Sequence, residues 1–304
     1  MTEPSLAGKS ARYEAIEDTF LAELDESLRP RGSDTLYDLV DELGLADGAI
    51  VLDAGCGKGH HAIELARRFD VGVIGIDPAP IHLDKAAEAI AAAESTTPGI
   101  SARINLAPGR VERLPLEDGS VDVVWCRDVL GAVEDLDAAY SEFARVLRPK
   151  GQAIIYQSGL APDLTEQEAR RFRALDGPVT SADPGRIDAA ITASGLHVDR
   201  RFSVGLEWAE HLAETNGKGP RRLLHLARLL RQPEHYIERF GRWEYDVMVA
   251  DCYWHLWRLM GKLDEKVYLL TKPTDIRPEV SPVTASHSHL CLGGSIALGV
   301  DHAQ

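Results

Sequence analysis

The chain has 304 residues, with 33 Lys and Arg against 48 Asp and Glu, a formal net charge of −15. With 44% hydrophobic and 27% charged residues it has the composition of a folded globular protein, and enough length for a sizeable core. The acidic balance lacks the basic footprint that a nucleic-acid binder needs to displace phosphate counterions, and it argues equally against docking on an anionic membrane. The first dozen residues are polar and no window approaches eighteen apolar residues, so neither a signal peptide nor a bilayer span is expected. Cys56, Cys126, Cys252 and Cys291 form no CxxC pair and read as free thiols of a reducing, cytoplasmic compartment.

Residues 11–43 read as two short amphipathic helices divided at Arg29-Pro30-Arg31-Gly32, with Ile16, Phe20, Leu21, Leu24 and then Leu36, Leu39, Val40, Leu43 at helical spacing. They define an N-terminal helical segment, 1–45. From there the period changes. Short β-type runs at 49–53, 71–76, 102–107, 121–126 and 152–157 alternate with helical patterns at 60–69, 79–94 and 135–147. That alternation predicts an α/β fold with a doubly wound, mostly parallel sheet. Runs such as Ile50-Val51-Leu52 are continuous rather than alternating, as strands buried on both faces should be. A loop and helix (158–182), a helix at 184–194 closed by Gly195, and a strand at 196–204 complete a core spanning 46–205. Residues 206–262 read as a helical insertion, 263–273 as the final strand of the core, and 274–304 as an aperiodic tail.

The informative segment is Val51-Leu52-Asp53-Ala54-Gly55-Cys56-Gly57-Lys58-Gly59-His60. A buried strand ends in an acid, and a glycine turn then opens a helix whose first N–H groups and dipole favour a polar ligand. The third position of a dinucleotide GxGxxG would be His60, which disfavours a nicotinamide-dependent oxidoreductase. No Lys-Ser or Lys-Thr follows, so this is no phosphate loop. Asp53 is placed to meet a cationic ammonium group. Asp77, ending the next strand, can accept hydrogen bonds from both hydroxyls of a ribose, although an acid there is also an ordinary helix cap.

Together with GIDPAP, RVERLPLEDGSVDVVWC and DLDAAYSEFARVLRPKGQAIIY, this segment resembles the class I S-adenosylmethionine-dependent methyltransferases, most of all the small-molecule branch related to ubiquinone and menaquinone biosynthesis. The resemblance is strong over 36–157 and weaker to residue 273. It implies a seven-stranded sheet with an antiparallel last strand and S-adenosylmethionine across the strand ends. On that basis Asp53, Gly55, Gly57 and Gly59 would hold the methionine side, Asp77 the ribose, and Pro78 the adenine. Where relatives carry an acid for the adenine amino group this chain has Arg110, so Val111 and Glu112 are the remaining candidates. Arg127 would face the cofactor, holding methionine or substrate, or would simply pair with Asp128. The sequence VLGAV at 129–133 lacks the His that many relatives carry there.

Methyl transfer from a sulfonium is an in-line displacement that needs neither a nucleophilic side chain nor a metal. The HxHxC set of His287, His289 and Cys291 is therefore not assigned a metal. The insertion holds eight of the nineteen aromatics and is expected to act as a substrate lid, with Glu207, His211, His255 and His61 as candidate bases. Within 218–242 seven cations face two acids. A helix over 220–232 is expected to bury Leu223, Leu226, Ala227 and Leu230, leaving Arg222 and Arg231 on its flanks to hold an acceptor anion or face solvent. The reading is a cytoplasmic enzyme methylating a small apolar or aromatic metabolite. The alternative is a cyclase or decarboxylase that binds the same cofactor without transferring methyl. Helices 11–43 and 219–260 could pair subunits of a homo-oligomer.

Overall fold

The computed structural model describes residues 6–162, 164–168, 170 and 183–274. Helices α1 (Leu6–Leu24) and α2 (Thr35–Glu42) lead into strand β1 (Ile50–Ala54). Then follow α3 (His60–Arg68), β2 (Gly72–Asp77), α4 (Pro80–Glu94), β3 (Ile104–Pro108), β4 (Val121–Arg127), α5 (Leu136–Val146) and β5 (Leu147–Leu160). After α6 (Pro184–Ser194) and β6 (His197–Ser203), four helices intervene before β7 (Leu263–Thr271). These are α7 (Glu207–Asn216), α8 (Lys218–Arg231), α9 (Pro233–Phe240) and α10 (Arg242–Leu259). Helix starts follow side-chain chemistry: Asp135 accepts from the Ala138 amide at 3.0 Å to open α5, and Asp183 accepts from Gly185 at 2.8 Å to open α6.

The seven strands lie in the order β3-β2-β1-β4-β5-β7-β6, with β7 antiparallel to both neighbours and the other pairs parallel. Chain order reverses at β1, between β2 and β4, and that switch opens a crevice at the strand ends. Register brings the crevice residues level: Asp53 pairs with Gly75, Asp77 with Pro108, and Arg127 with Tyr156. One core layer packs Leu136, Tyr140 and Phe143 of α5 and Ile187 and Ile191 of α6 against the sheet. The other packs Leu36 and Val40 of α2, Leu65 of α3 and Ile90 of α4, together with Trp208 from the insertion. Helices thus cover both faces, as buried parallel strands require.

Three local expectations change. Ile16, Phe20, Leu21 and Leu24 of α1 keep the helical spacing but are exposed. In α8 the buried pair is Leu226 and Leu229, with Arg222 and His225 half-buried beside them, whereas Leu223 and Leu230 face out. Arg222 turns inward because Asp251 of α10 meets it at 2.6 Å, and Arg231 lies on the opposite side of the helix, so the two cannot converge on one anion. The helix expected within 158–182 lies largely outside the described residues, as do His287, His289 and Cys291.

Candidate functional site

The turn between β1 and α3 places Gly55, Gly57 and Gly59 at φ 78°, 50° and 77°. It is tied to β2 because the Gly55 and Cys56 amides donate to the Ile76 carbonyl at 2.8 and 2.9 Å. A side chain at Gly55 would collide with Val129 of the β4 loop, whereas one at Gly57 would meet nothing within 4 Å, so the loop edge there is open. Gly59 packs against Ala86 of α4.

Asp53 is buried, receives the Ala62 amide and leaves one carboxylate oxygen without a partner. Burial pushes its carboxyl up to about 7. An unsatisfied buried acid calls for a cation at that point. Asp77 is more fully used: it accepts the Gly57 amide at 3.0 Å and the Ala79 amide at 2.9 Å, and lies 3.1 Å from Nδ1 of His82. A carboxylate offers about four lone pairs, so two ribose hydroxyls require one present donor to leave. Asp77 thus ties the residue just ahead of α4, whose own N-cap position, Ala79, makes no side-chain cap. Pro78 is exposed just beyond it.

In the turn after β3, Val111 is buried in the core. Glu112 is held by Arg110 at 2.9 Å, in a turn whose Gly109 amide donates to the Asp77 carbonyl at 3.3 Å.

Past β4 the backbone is held in an unusual conformation, Asp128 adopting φ 58°. Arg127 is four-fifths buried, with Nε 3.4 Å from Asp128 and its guanidinium 5.9 and 5.8 Å from the rings of Tyr156 and Trp208. Tyr156 and Trp208 stack on each other at 4.8 Å. Nη1 of Arg127 lies 3.4 Å from Nε2 of His61, whose Nδ1 is 2.7 Å from the Tyr37 hydroxyl. Burial, then the Arg127 charge, holds His61 neutral, down to about 4. A neutral ring accepting from Arg127 at Nε2 must donate from Nδ1 to Tyr37.

The structure does not bring the candidate bases together. Glu207 is clamped by Arg31, whose amide and Nε both donate to Oε1 at 2.8 Å and whose Nη2 donates to Oε2 at 2.9 Å. That pairing holds its carboxyl below the usual range. His211, one turn along α7, lies 3.0 Å from the Pro30 carbonyl, so its Nδ1 donates there. His255 lies 3.6 Å from Asp251, the acid that also holds Arg222. Glu207 and His211 read here as ties between elements, and His255 as a partner of Asp251 within α10. His61 is held neutral as a partner for Arg127 rather than poised to take a proton.

Sequence reasoning missed a buried group at the same end of the sheet. Arg258 of α10 pairs with Glu265 of β7 and donates to the Tyr156 hydroxyl at 3.1 Å. Its only signal was an acid at an inward position of a strand, in Leu263-Asp264-Glu265-Lys266-Val267. Among the described residues no cluster of His, Cys, Asp and Glu suits a metal ion, and no helix is long and apolar enough to cross a membrane.

The topology, with its crevice at the β1 switch point and a glycine turn below it, is that of the Rossmann-like methyltransferase fold. Residues 52–155 match the family model described as a methyltransferase domain. Over 133 residues the chain is 35% identical to malonyl-[acyl-carrier protein] O-methyltransferase of Methylovorus sp., covering 43% of each chain. It is 28% identical to a sterol 24-C-methyltransferase of Aspergillus fumigatus, over 44% of this chain and 35% of that one. The chain thus spans less than half the length of these curated relatives. The crystal structure of the [4+2]-cyclase SpnF superposes with a TM-score of 0.62 at 18% identity, over 90% of this chain and 99% of the other. The matched segment, from β1 to β5, thus carries a methyltransferase domain.

Proposed function

We propose that this chain transfers a methyl group from S-adenosylmethionine to a small apolar or aromatic acceptor. The observation that carries the reading is the β1–α3 turn, where the open edge at Gly57 lies between the unsatisfied carboxylate of Asp53 and the carboxylate of Asp77. These groups fit the cofactor: Asp53 suits its ammonium end, Gly57 gives its backbone room, and Asp77 with Pro78 suits its nucleoside end. S-adenosylmethionine, when bound, supplies a methyl group on a sulfonium leaving group.

The protein's own part is alignment and exclusion of water. Arg127, enclosed by Tyr156, Trp208 and His61, keeps guanidinium donors for a carboxylate at the methionine end. Insertion helices α7–α10 would cover the acceptor, with Trp208 anchoring their start. The buried free thiols Cys56, Cys126 and Cys252 suit a reducing compartment, and the cytoplasm is the location proposed.

Calorimetry with S-adenosylmethionine and its demethylated product, followed by incubation of methyl-labelled cofactor with candidate acceptors, tests the reading. Label in a product is the expected outcome. Absence of binding would overturn it. Turnover that needs the cofactor but moves no label would favour the cyclase or decarboxylase alternative, which rests on fold likeness alone.

A further inference from the structure

We propose that the helical insertion holds a second ligand site, a groove that takes an acyl-chain anion. A cavity of about 500 Å³ opens between α8, α9 and α10, a volume in the range of small-molecule pockets. Its lining comes from those three helices alone. Trp257 and Arg258, which meet the sheet, lie more than two turns further along α10 than Met248 of the lining, so the groove is separate from the strand-end crevice.

The body of the groove is apolar: Leu229, Tyr236, Phe240, Tyr245 and Met248. Phe240 is 57% and Met248 44% exposed, so its rim leaves large apolar side chains in water, as at a surface built to be covered. The open rim suits a chain lying along it better than an enclosed ring.

The charge of the head group follows from the same lining. His225 and Arg228 stand one turn apart on α8. Arg228 forms no ion pair among the described residues, whereas Arg222 is held by Asp251 and Arg242 by Asp246. The one acid of the lining, Glu244, has its carboxylate folded against Gly241 at the start of α10. In the sequence, 218–242 carries seven cations and two acids in a chain of net charge −15, and the rest of α10 adds Glu244, Asp246 and Asp251 against Arg258. A guanidinium left free beside an apolar groove matches a carboxylate head on an apolar tail.

The test is calorimetric titration of decanoate and decanol into the full chain. One decanoate per chain is expected. Arg228→Gln, a change on the surface, should weaken decanoate about 10-fold and leave decanol unchanged. Met248→Trp, which fills the groove, should abolish binding of both while the melting temperature holds. Arg127→Gln, at the strand ends, should change neither. No saturable decanoate binding by the parent chain would overturn the proposal. So would binding indifferent to Arg228→Gln, or binding lost with Arg127→Gln, which would put the ligand in the crevice instead.

Discussion

Gly55 lies at φ +78°, and a Cβ placed on it would come within 2.3 and 2.8 Å of the two methyls of Val129. Gly55→Ala therefore meets two separable costs. The left-handed conformation costs an L-residue about 1–2 kcal/mol, and forcing a methyl against Val129 adds about 1–3 kcal/mol of overpacking. The single variant should lose about 2–5 kcal/mol in all. Val129→Ala removes both methyls and leaves its own Cβ 3.1 Å away, a tight but tolerable contact. Because Val129 is half-buried, that change alone should cost about 1 kcal/mol. Only the steric part is relieved in the double variant, which should exceed the additive expectation by about 1–3 kcal/mol. Urea unfolding with an unchanged slope measures each corner of the cycle. Strict additivity would refute the contact, and a costless Gly55→Ala would refute the loop conformation itself.

Other consequences can be measured in the same preparations. Burial raises the Asp53 carboxyl to about 7, against about 4 in an unfolded chain. The folded protein thus keeps a proton that the unfolded chain loses between those values. Stability should fall as pH rises through that window and then level, and Asp53→Asn should flatten the fall. A cation bound beside Asp53 would lower its carboxyl, so cofactor binding in that window should release a proton, read from the buffer dependence of the heat. Asp77→Ala should weaken S-adenosylmethionine about 10–100-fold, whereas His82→Ala, which frees a lone pair on Asp77, should leave affinity unchanged or improved; equal effects would sink the ribose assignment. Glu265→Gln leaves Arg258 buried without its counter-charge and should cost about 3–5 kcal/mol, most of it regained in Arg258→Met with Glu265→Met; a single variant as stable as the parent would contradict the pairing.

Much of the fold was legible because each strand is a short apolar run and each core helix has one apolar face. All seven strands, and helices α3 to α6, fall where the periods announced them, although β5 runs from Leu147 to Leu160 against an expected 152–157. The glycine turn and its two acids were legible for the same reason, since backbone geometry dictates those residue types. The insertion was harder to read. In α8 the leucines at 223, 224, 226, 229 and 230 surround the helix, so two stripes compete, and Asp251 on another helix decides which is buried. The partners of the candidate bases were hidden similarly: a histidine or acid at a plausible place says nothing about a partner such as Arg31 or Pro30, brought near only by tertiary packing.

The pairing of Arg258 with Glu265 sets where this chain could be divided. If the segment between the last two strands were grafted onto another chain, a natural cut would fall in the turn at 260–262. Here that cut would separate a buried guanidinium on α10 from its carboxylate on β7, and from the Tyr156 hydroxyl on β5. A graft that carries α10 without Glu265 brings an unmatched charge into its new host, and a host that keeps Glu265 without Arg258 strands an acid. The transferable module runs at least from Glu207 to Glu265, and it needs a hydroxyl waiting on the neighbouring strand.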